Sequence, residues 1–249
     1  MVKPDQLTVT WTRPARFLEQ FNWHTHRFVV DVGFHTWRTV YGTITQMSFS
    51  SPSECADVVA NWYDTHTDLV IRTTVQNGHK HGSDFRYCAQ VQGTSTVTGQ
   101  RDDLEHNLRM AVRRPAGQKP IPAPALLVVD WTFPAQMTRL VDGDTQEFLV
   151  DAGFHAERQI TDRLLGVNCP ETHGESRPAG LAASEFSRQW YDTHRNLVIQ
   201  TRPDPRKSVD AFRRYLVKVQ GTCNRTGIRE DLAQCLLGAH QAVPFMVEP

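Results

Sequence analysis

Three short segments in the second half of the chain carry residue types that could handle a phosphodiester. They are Val141-Asp142-Gly143-Asp144-Thr145, then Arg163-Leu164-Leu165-Gly166-Val167-Asn168-Cys169-Pro170-Glu171-Thr172, then Asp210-Ala211-Phe212-Arg213-Arg214-Tyr215. Hydrolysis of a phosphodiester needs a water made nucleophilic, a positive clamp for the charge that builds up at phosphorus and, commonly, a divalent cation. Glu171, beside the proline-stiffened turn at Pro170, is placed to act as general base. Arg163 and Arg214 can each donate forked hydrogen bonds to phosphate oxygens. Asp144 can offer Ca2+ a hard carboxylate oxygen. Singly, each has an ordinary alternative. Asp142-Gly143-Asp144 is a hairpin turn, Arg163 a solvated strand residue, Glu171 a loop acid, and Arg213-Arg214 a surface pair. Their joint occurrence in this order favours a phosphate site.

The three segments together resemble the staphylococcal-nuclease-like (thermonuclease) family, whose members carry a DGDT turn, an R-L-x-G-[I/V]-[D/N]-x-P-E-T segment and a D-x-[F/Y]-x-R-x-L strand in that order. The resemblance covers about Thr138 to about Ala239, and the second segment is its most specific part. It implies Arg163, Glu171 and Arg214 in the catalytic positions. It also implies Asp144, Asn168 and the backbone carbonyl of Cys169 as ligands of Ca2+. Asn168 departs from the more usual aspartate, which removes one negative charge and weakens the expected Ca2+ binding. Arg206-Lys207, ahead of the third segment, are candidate substrate contacts.

The elements that must position these residues occur twice. Trp11-Thr12-Arg13-Pro14-Ala15 returns 120 residues later as Trp131-Thr132-Phe133-Pro134-Ala135, and Phe28 to His35 returns at the same offset as Phe148 to His155. Beyond these the offset is 128: Trp62-Tyr63-Asp64-Thr65-His66 matches Trp190-Tyr191-Asp192-Thr193-His194. A repeat this long is a whole small domain. The expected division is 1–112, a degenerate copy; 113–124, a linker stiffened by four prolines; and 125–249, the copy with the full motif. In copy two, strands are expected at Leu126–Trp131, Met137–Val141, Thr145–Val150, Glu157–Val167, Leu197–Ile199 and Phe212–Val219. Helices are expected over Leu181–Tyr191 and Glu230–Ala239. This is a mainly β fold with α (α+β), and it fits two tandem OB-fold barrels of the staphylococcal-nuclease type.

Copy one lacks the chemistry. His24 stands opposite Asp144, Thr43 opposite Arg163 and Ser48 opposite Asn168. Glu54 is the acid nearest the Glu171 position, and Arg86 alone survives, opposite Arg214. Its own candidates are weaker. His24 and His26, two apart on an expected strand, would face one side, and His79 and His81 sit in a Gly-flanked loop. A metal site would need the two pairs to converge. The aromatic residues Phe21, Trp23, Phe28, Phe34 and Trp37 offer either a base-stacking face or core and rim packing. His66 and His194 recur at a helix end, where the dipole tolerates a cation.

Lys+Arg and Asp+Glu number 27 each, which argues against a basic coat that binds nucleic acid indiscriminately. The five cysteines are an odd number without a regular framework, so a reducing compartment is expected, although Cys223 and Cys235 could pair. No apolar run approaches the length of a membrane helix, and no signal peptide is evident. The reading is therefore a Ca2+-dependent phosphodiesterase acting on DNA or RNA, cytoplasmic or, if phage-encoded, in a virion. The alternatives are a structural component of a large protein assembly, for which Ala242–Val247 would be a docking segment, or a non-catalytic nucleic-acid-binding module.

Overall fold

The computed structural model describes residues 11–44, 52–74, 80–81, 84–112, 124–201 and 210–245, with the side chains of 74, 80–81 and 84–86 not described. The chain falls into two compact units, divided between Asp130 and Trp131.

In the first unit, β1 (Thr12–Gln20), β2 (Thr25–Gly33) and β3 (Thr36–Thr43) form a meander. Helix α1 (Pro52–Thr65) follows, then β4 (His66–Thr74), β5 (Lys80–His81), β6 (Asp84–Ser95), β7 (Arg101–Asp103) and α2 (Leu104–Ala111). The second unit repeats the plan with β8 (Thr132–Leu140), β9 (Thr145–Gly153), β10 (Ala156–Leu164), β11 (Gly166–Asn168), α3 (Arg177–Thr193), β12 (His194–Thr201), β13 (Tyr215–Cys223), β14 (Arg229–Asp231), α4 (Leu232–Gly238) and β15 (Val243–Phe245). Its strands pair in the order β10-β9-β8-β12-β13, and β10 then pairs β13 in parallel, Arg163 opposite Leu216, which closes five strands into a barrel. In the first unit the order is β3-β2-β1-β4-β6, with β3 pairing β6 in parallel.

The repeated Gly-Phe-His motif is a hairpin device. Phe34 and His35 have φ of 52° and 55°, and Phe154 and His155 have 53° and 55°. A two-residue loop with both φ positive matches the twist of the strands it joins. Non-glycine residues pay roughly 1–2 kcal/mol each for that conformation, so a second function must retain them. For Phe154, 9% exposed, that function is core burial. Alternation in β9 turns Phe148, Val150 and Ala152 inward, where they meet Phe133, Ile199, Val217, Val219, Leu232 and Leu236, all fully or almost fully buried. The closing helices α2 and α4 start at Asp103 and Asp231, whose carboxylates accept from the amides of His106 (3.0 Å) and Gln234 (3.1 Å).

Three expectations change. Leu126–Trp131 is not a strand but irregular chain, with Leu127 2% exposed and its amide donating to Gln92 Oε1 at 2.7 Å. Asp130 also belongs to the first unit, since its carbonyl accepts from Arg13. The single strand expected over Glu157–Val167 breaks at Leu165, because Gly166 has φ of 91°, and β11 leaves the barrel to pair with β15. The tail expected as a docking segment is thereby used within its own unit, as far as Phe245. All five cysteines are free thiols.

Candidate phosphate site in the second unit

The turn between β8 and β9 carries Asp144. Amides of Val141 and Asp142 donate to the Thr145 carbonyl at 2.9 and 3.1 Å, and Asp142 Oδ1 accepts from the Asp144 amide at 3.1 Å. Gly143 is required here for space rather than for dihedral freedom. A Cβ added to it would lie 2.9 Å from both Ala183 Cβ and Cys169 Sγ. Its carbonyl accepts from the buried Ser187 hydroxyl at 2.7 Å. The turn is thus held against α3 and the loop after β11.

That seat points Asp144 inward, to 2% exposure. Its Oδ1 accepts from Arg163 Nη1 and from the Thr145 hydroxyl, both at 3.2 Å, and its Oδ2 accepts from the Cys169 amide at 2.7 Å. Arg163 Nη2 also donates to Asn168 Oδ1. From the other side, Arg214 Nη1 donates to the Thr145 hydroxyl at 3.1 Å. Arg214 is oriented by Asp210: Nε donates to Oδ2 at 2.8 Å, while Oδ1 accepts from the amides of Phe212 and Arg214. One continuous network, Arg214–Thr145–Asp144–Arg163–Asn168, therefore joins the three sequence segments. Phe245 of β15 lies over the Arg163 guanidinium at 5.6 Å, and Phe212 over that of Arg214 at 5.1 Å.

Burial pushes the Asp144 carboxyl above its usual range, against the pull of the Cys169 amide and Arg163. Burial, followed by the fields of Asp144 and Asp142, raises the Cys169 thiol to about 12, so its sulfur is not a thiolate ligand at neutral pH. Asp210 moves the other way: burial opposes its ionisation, but the bonds from Arg214 outweigh that and hold it below the usual range.

Asp144, Arg163, Asn168, Cys169 and Arg214 are brought together. Glu171 is one step outside. Its side chain is 63% exposed and stands 3.8 Å from His173, a surface pair worth little in stability. Its backbone is tightly held, as the packing against Gly180 shows: a Cβ there would come 2.5 Å from the Glu171 carbonyl carbon and 2.8 Å from the Pro170 oxygen. Arg206 and Lys207 lie outside the described residues. Thr145, Asp210 and Phe245 are additional members. Thr145 and Asp210 sit inside the quoted segments, whereas nothing in the order of residues marks Phe245.

Ca2+ takes six to eight oxygens, with carboxylates supplying the charge. Here Arg163 stands between Asp144 Oδ1 and Asn168 Oδ1, the two side-chain oxygens a cation would bridge, and the Cys169 amide rather than its carbonyl faces Asp144. One carboxylate balanced by one guanidinium leaves no net negative charge. As arranged, these donors do not fit a Ca2+ ion, and the chemistry below is derived from the side chains alone.

The first unit fills the same positions differently. His24 is in the bend before β2, its Nδ1 against Asn22 Oδ1, so it does not share a strand face with His26. His26 is fully buried with Nδ1 2.7 Å from the Tyr63 hydroxyl, and burial lowers it to about 4. Ser48, His79 and the side chains of His81 and Arg86 are outside what is described. Phe28 is core, while Phe21 and Trp37 are exposed. The unfolded chain protonates His26 near pH 6.5, and the folded one resists until about 4. The contribution of His26 to stability is therefore complete above about pH 6.5 and is lost as the pH falls toward 4, roughly 3 kcal/mol in all. Melting curves between pH 7.5 and 4 are expected to show this loss in the wild type and its reduction in His26→Gln; equal slopes would remove His26 as the cause.

Neither a protein-family model nor a curated protein sequence matches the chain. Among the described residues, no helix is long and apolar enough to cross a membrane.

Proposed function

We propose that the second unit binds and hydrolyses a phosphodiester of DNA or RNA, and that the two units are tandem OB-type barrels of which the first is non-catalytic. The observation that carries this reading is the convergence of Arg163 and Arg214 on the Asp144–Thr145 turn. The clamp is preorganised: Asp144 and Asn168 hold Arg163, and Asp210 holds Arg214, so little side-chain freedom is lost when phosphate arrives. Glu171, in solvent on a rigid loop, takes the proton of the attacking water. The first unit lacks the acid and the arginine of the β2–β3 side, having His24 and Thr43 in their places.

The test is cleavage of single- and double-stranded DNA and RNA by the full chain, with and without Ca2+. Cleavage is expected, and Glu171→Gln should lower it by at least about 100-fold, the usual contribution of a general base. Cleavage unchanged in Glu171→Gln removes the assigned base. Salt-dependent binding without cleavage replaces hydrolysis by a binding function, a reading favoured by the engagement of both Asp144 oxygens with protein donors. An assembly role would follow from neither binding nor cleavage.

A further inference from the structure

A second cluster of ligating side chains lies at the other end of β13. His194 pairs with Cys223 across the β12–β13 ladder, whereas Arg163 stands opposite Leu216. Seven residues of strand separate Leu216 from Cys223, roughly 23 Å. At this end, a ring nitrogen of His194, Cys223 Sγ and a Glu230 carboxylate oxygen lie within 4.8 Å of one another. We propose that these three side chains bind a borderline-soft divalent transition metal, Zn2+ above all, which ties the α3–β12 junction to the β13–β14 hairpin.

The His194 imidazole is fixed in one tautomer by its neighbours. His194 Nδ1 is 2.6 Å from the Trp190 carbonyl oxygen, and a carbonyl only accepts, so Nδ1 carries a proton. The ring is held further by stacking on Trp190 at 4.0 Å and 12°. In the neutral ring, Nε2 is then a lone pair facing Glu230 Oε2, also an acceptor, at 3.3 Å. Two acceptors at that distance call for a positive charge between or on them. A backbone carbonyl fixing the tautomer of a histidine is also the usual support behind a metal ligand. The spacing suits this: nitrogen and oxygen ligands about 2.0–2.1 Å from one tetrahedral ion stand about 3.3 Å apart.

The first unit supplies the control. His66 repeats the arrangement, with Nδ1 2.8 Å from the Trp62 carbonyl and Nε2 3.3 Å from Asp102. The position of Cys223 is there occupied by Ser95, whose hydroxyl accepts from the amides of Val97 and Thr98. The histidine–acid pair is thus common framework, while the thiol is particular to the second unit. A thiolate ligates Zn2+ well and a serine hydroxyl does not. Binding releases the thiol proton to solvent and forms the metal–sulfur bond without change of oxidation state. Cys235 Sγ on α4 donates to Glu230 Oε2 at 3.8 Å.

The experiment is titration of the full chain, stripped with chelator and kept reduced, with Co2+ as spectroscopic probe and Zn2+ as competitor. A thiolate-to-cobalt charge-transfer band is expected to saturate at one ion per chain, with Zn2+ displacing it and raising the melting temperature. Cys223→Ser, a change the first unit already accommodates at Ser95, should match the wild type's melt in chelator. It should lack the band and bind at least about 100-fold more weakly, beyond the loss typical of a supporting residue. Absence of the band in the wild type, or its survival in Cys223→Ser, overturns the proposal. Neither readout depends on cleavage, so failure here leaves the phosphate site untouched.

Discussion

Arg163→Ala is expected to abolish function and to destabilise the second unit, by two separable routes. Loss of a preorganised donor to the developing charge should lower cleavage by about 100- to 1,000-fold. Loss of the partner of Asp144, whose side chain is 3% exposed, should cost about 3–5 kcal/mol, because a buried carboxylate is left with only the Cys169 amide and the Thr145 hydroxyl. The sign with pH distinguishes this from simple lost packing. Removing the cation raises an Asp144 already raised by burial. A carboxyl with a raised folded pKa destabilises above its unfolded value of about 3.9, so the deficit should be large at pH 7 and shrink toward pH 4. Adding Asp144→Asn should restore much of the stability at pH 7 without restoring cleavage. Chemical denaturation at the two pH values and a cleavage assay on the three variants decide it. A deficit independent of pH would mean that the ion pair is not its source.

Gly180→Ala is expected to have the other large effect, against the sign of helix propensity. Glycine inside a helix costs about 1 kcal/mol relative to alanine, so the substitution should help α3 in isolation. The new Cβ, however, would lie on backbone atoms of Pro170 and Glu171, at 2.5 Å from the Glu171 carbonyl carbon. Backbone cannot swing aside as a side chain does, and overpacking costs about 1–3 kcal/mol where the neighbours can adjust. The net expectation is a loss of more than about 2 kcal/mol, with displacement of the loop that carries Glu171. Melting temperature reads the first part and the cleavage rate the second. A variant more stable than wild type would show that the loop is free to move off the helix.

The duplication, the strand–helix order and four residues of the polar network, Asp144, Arg163, Asn168 and Arg214, were legible because each is written locally: Gly-Phe-His for a hairpin, Asp-Gly-Asp for a turn, arginines inside strand patterns. What was not legible depends on partners distant in sequence. Leu126–Asp130 reads like a strand, yet it belongs to the first unit, where Gln92 takes the Leu127 amide and Arg13 the Asp130 carbonyl. Gly166, at φ 91°, breaks a strand that periodicity alone would continue, and the partner of the piece beyond it, β15, lies far along the chain. His24 and His26 obey the two-residue strand period on paper, but β2 starts only at Thr25. Asp142-Gly143 marks the turn between β8 and β9, but not that its glycine is needed to clear Ala183 and Cys169, which are distant in sequence.

The position of β15 in the chain bears on how the site is made. Val243–Phe245 follows α4 and is the last described strand, and its pairing with β11 places Phe245 over the Arg163 guanidinium. The arginine's cover is a ladder of three residue pairs, with side chains mostly in solvent. So slight an attachment opens at little cost once folding is done, and its opening uncovers the Arg163 face of the network.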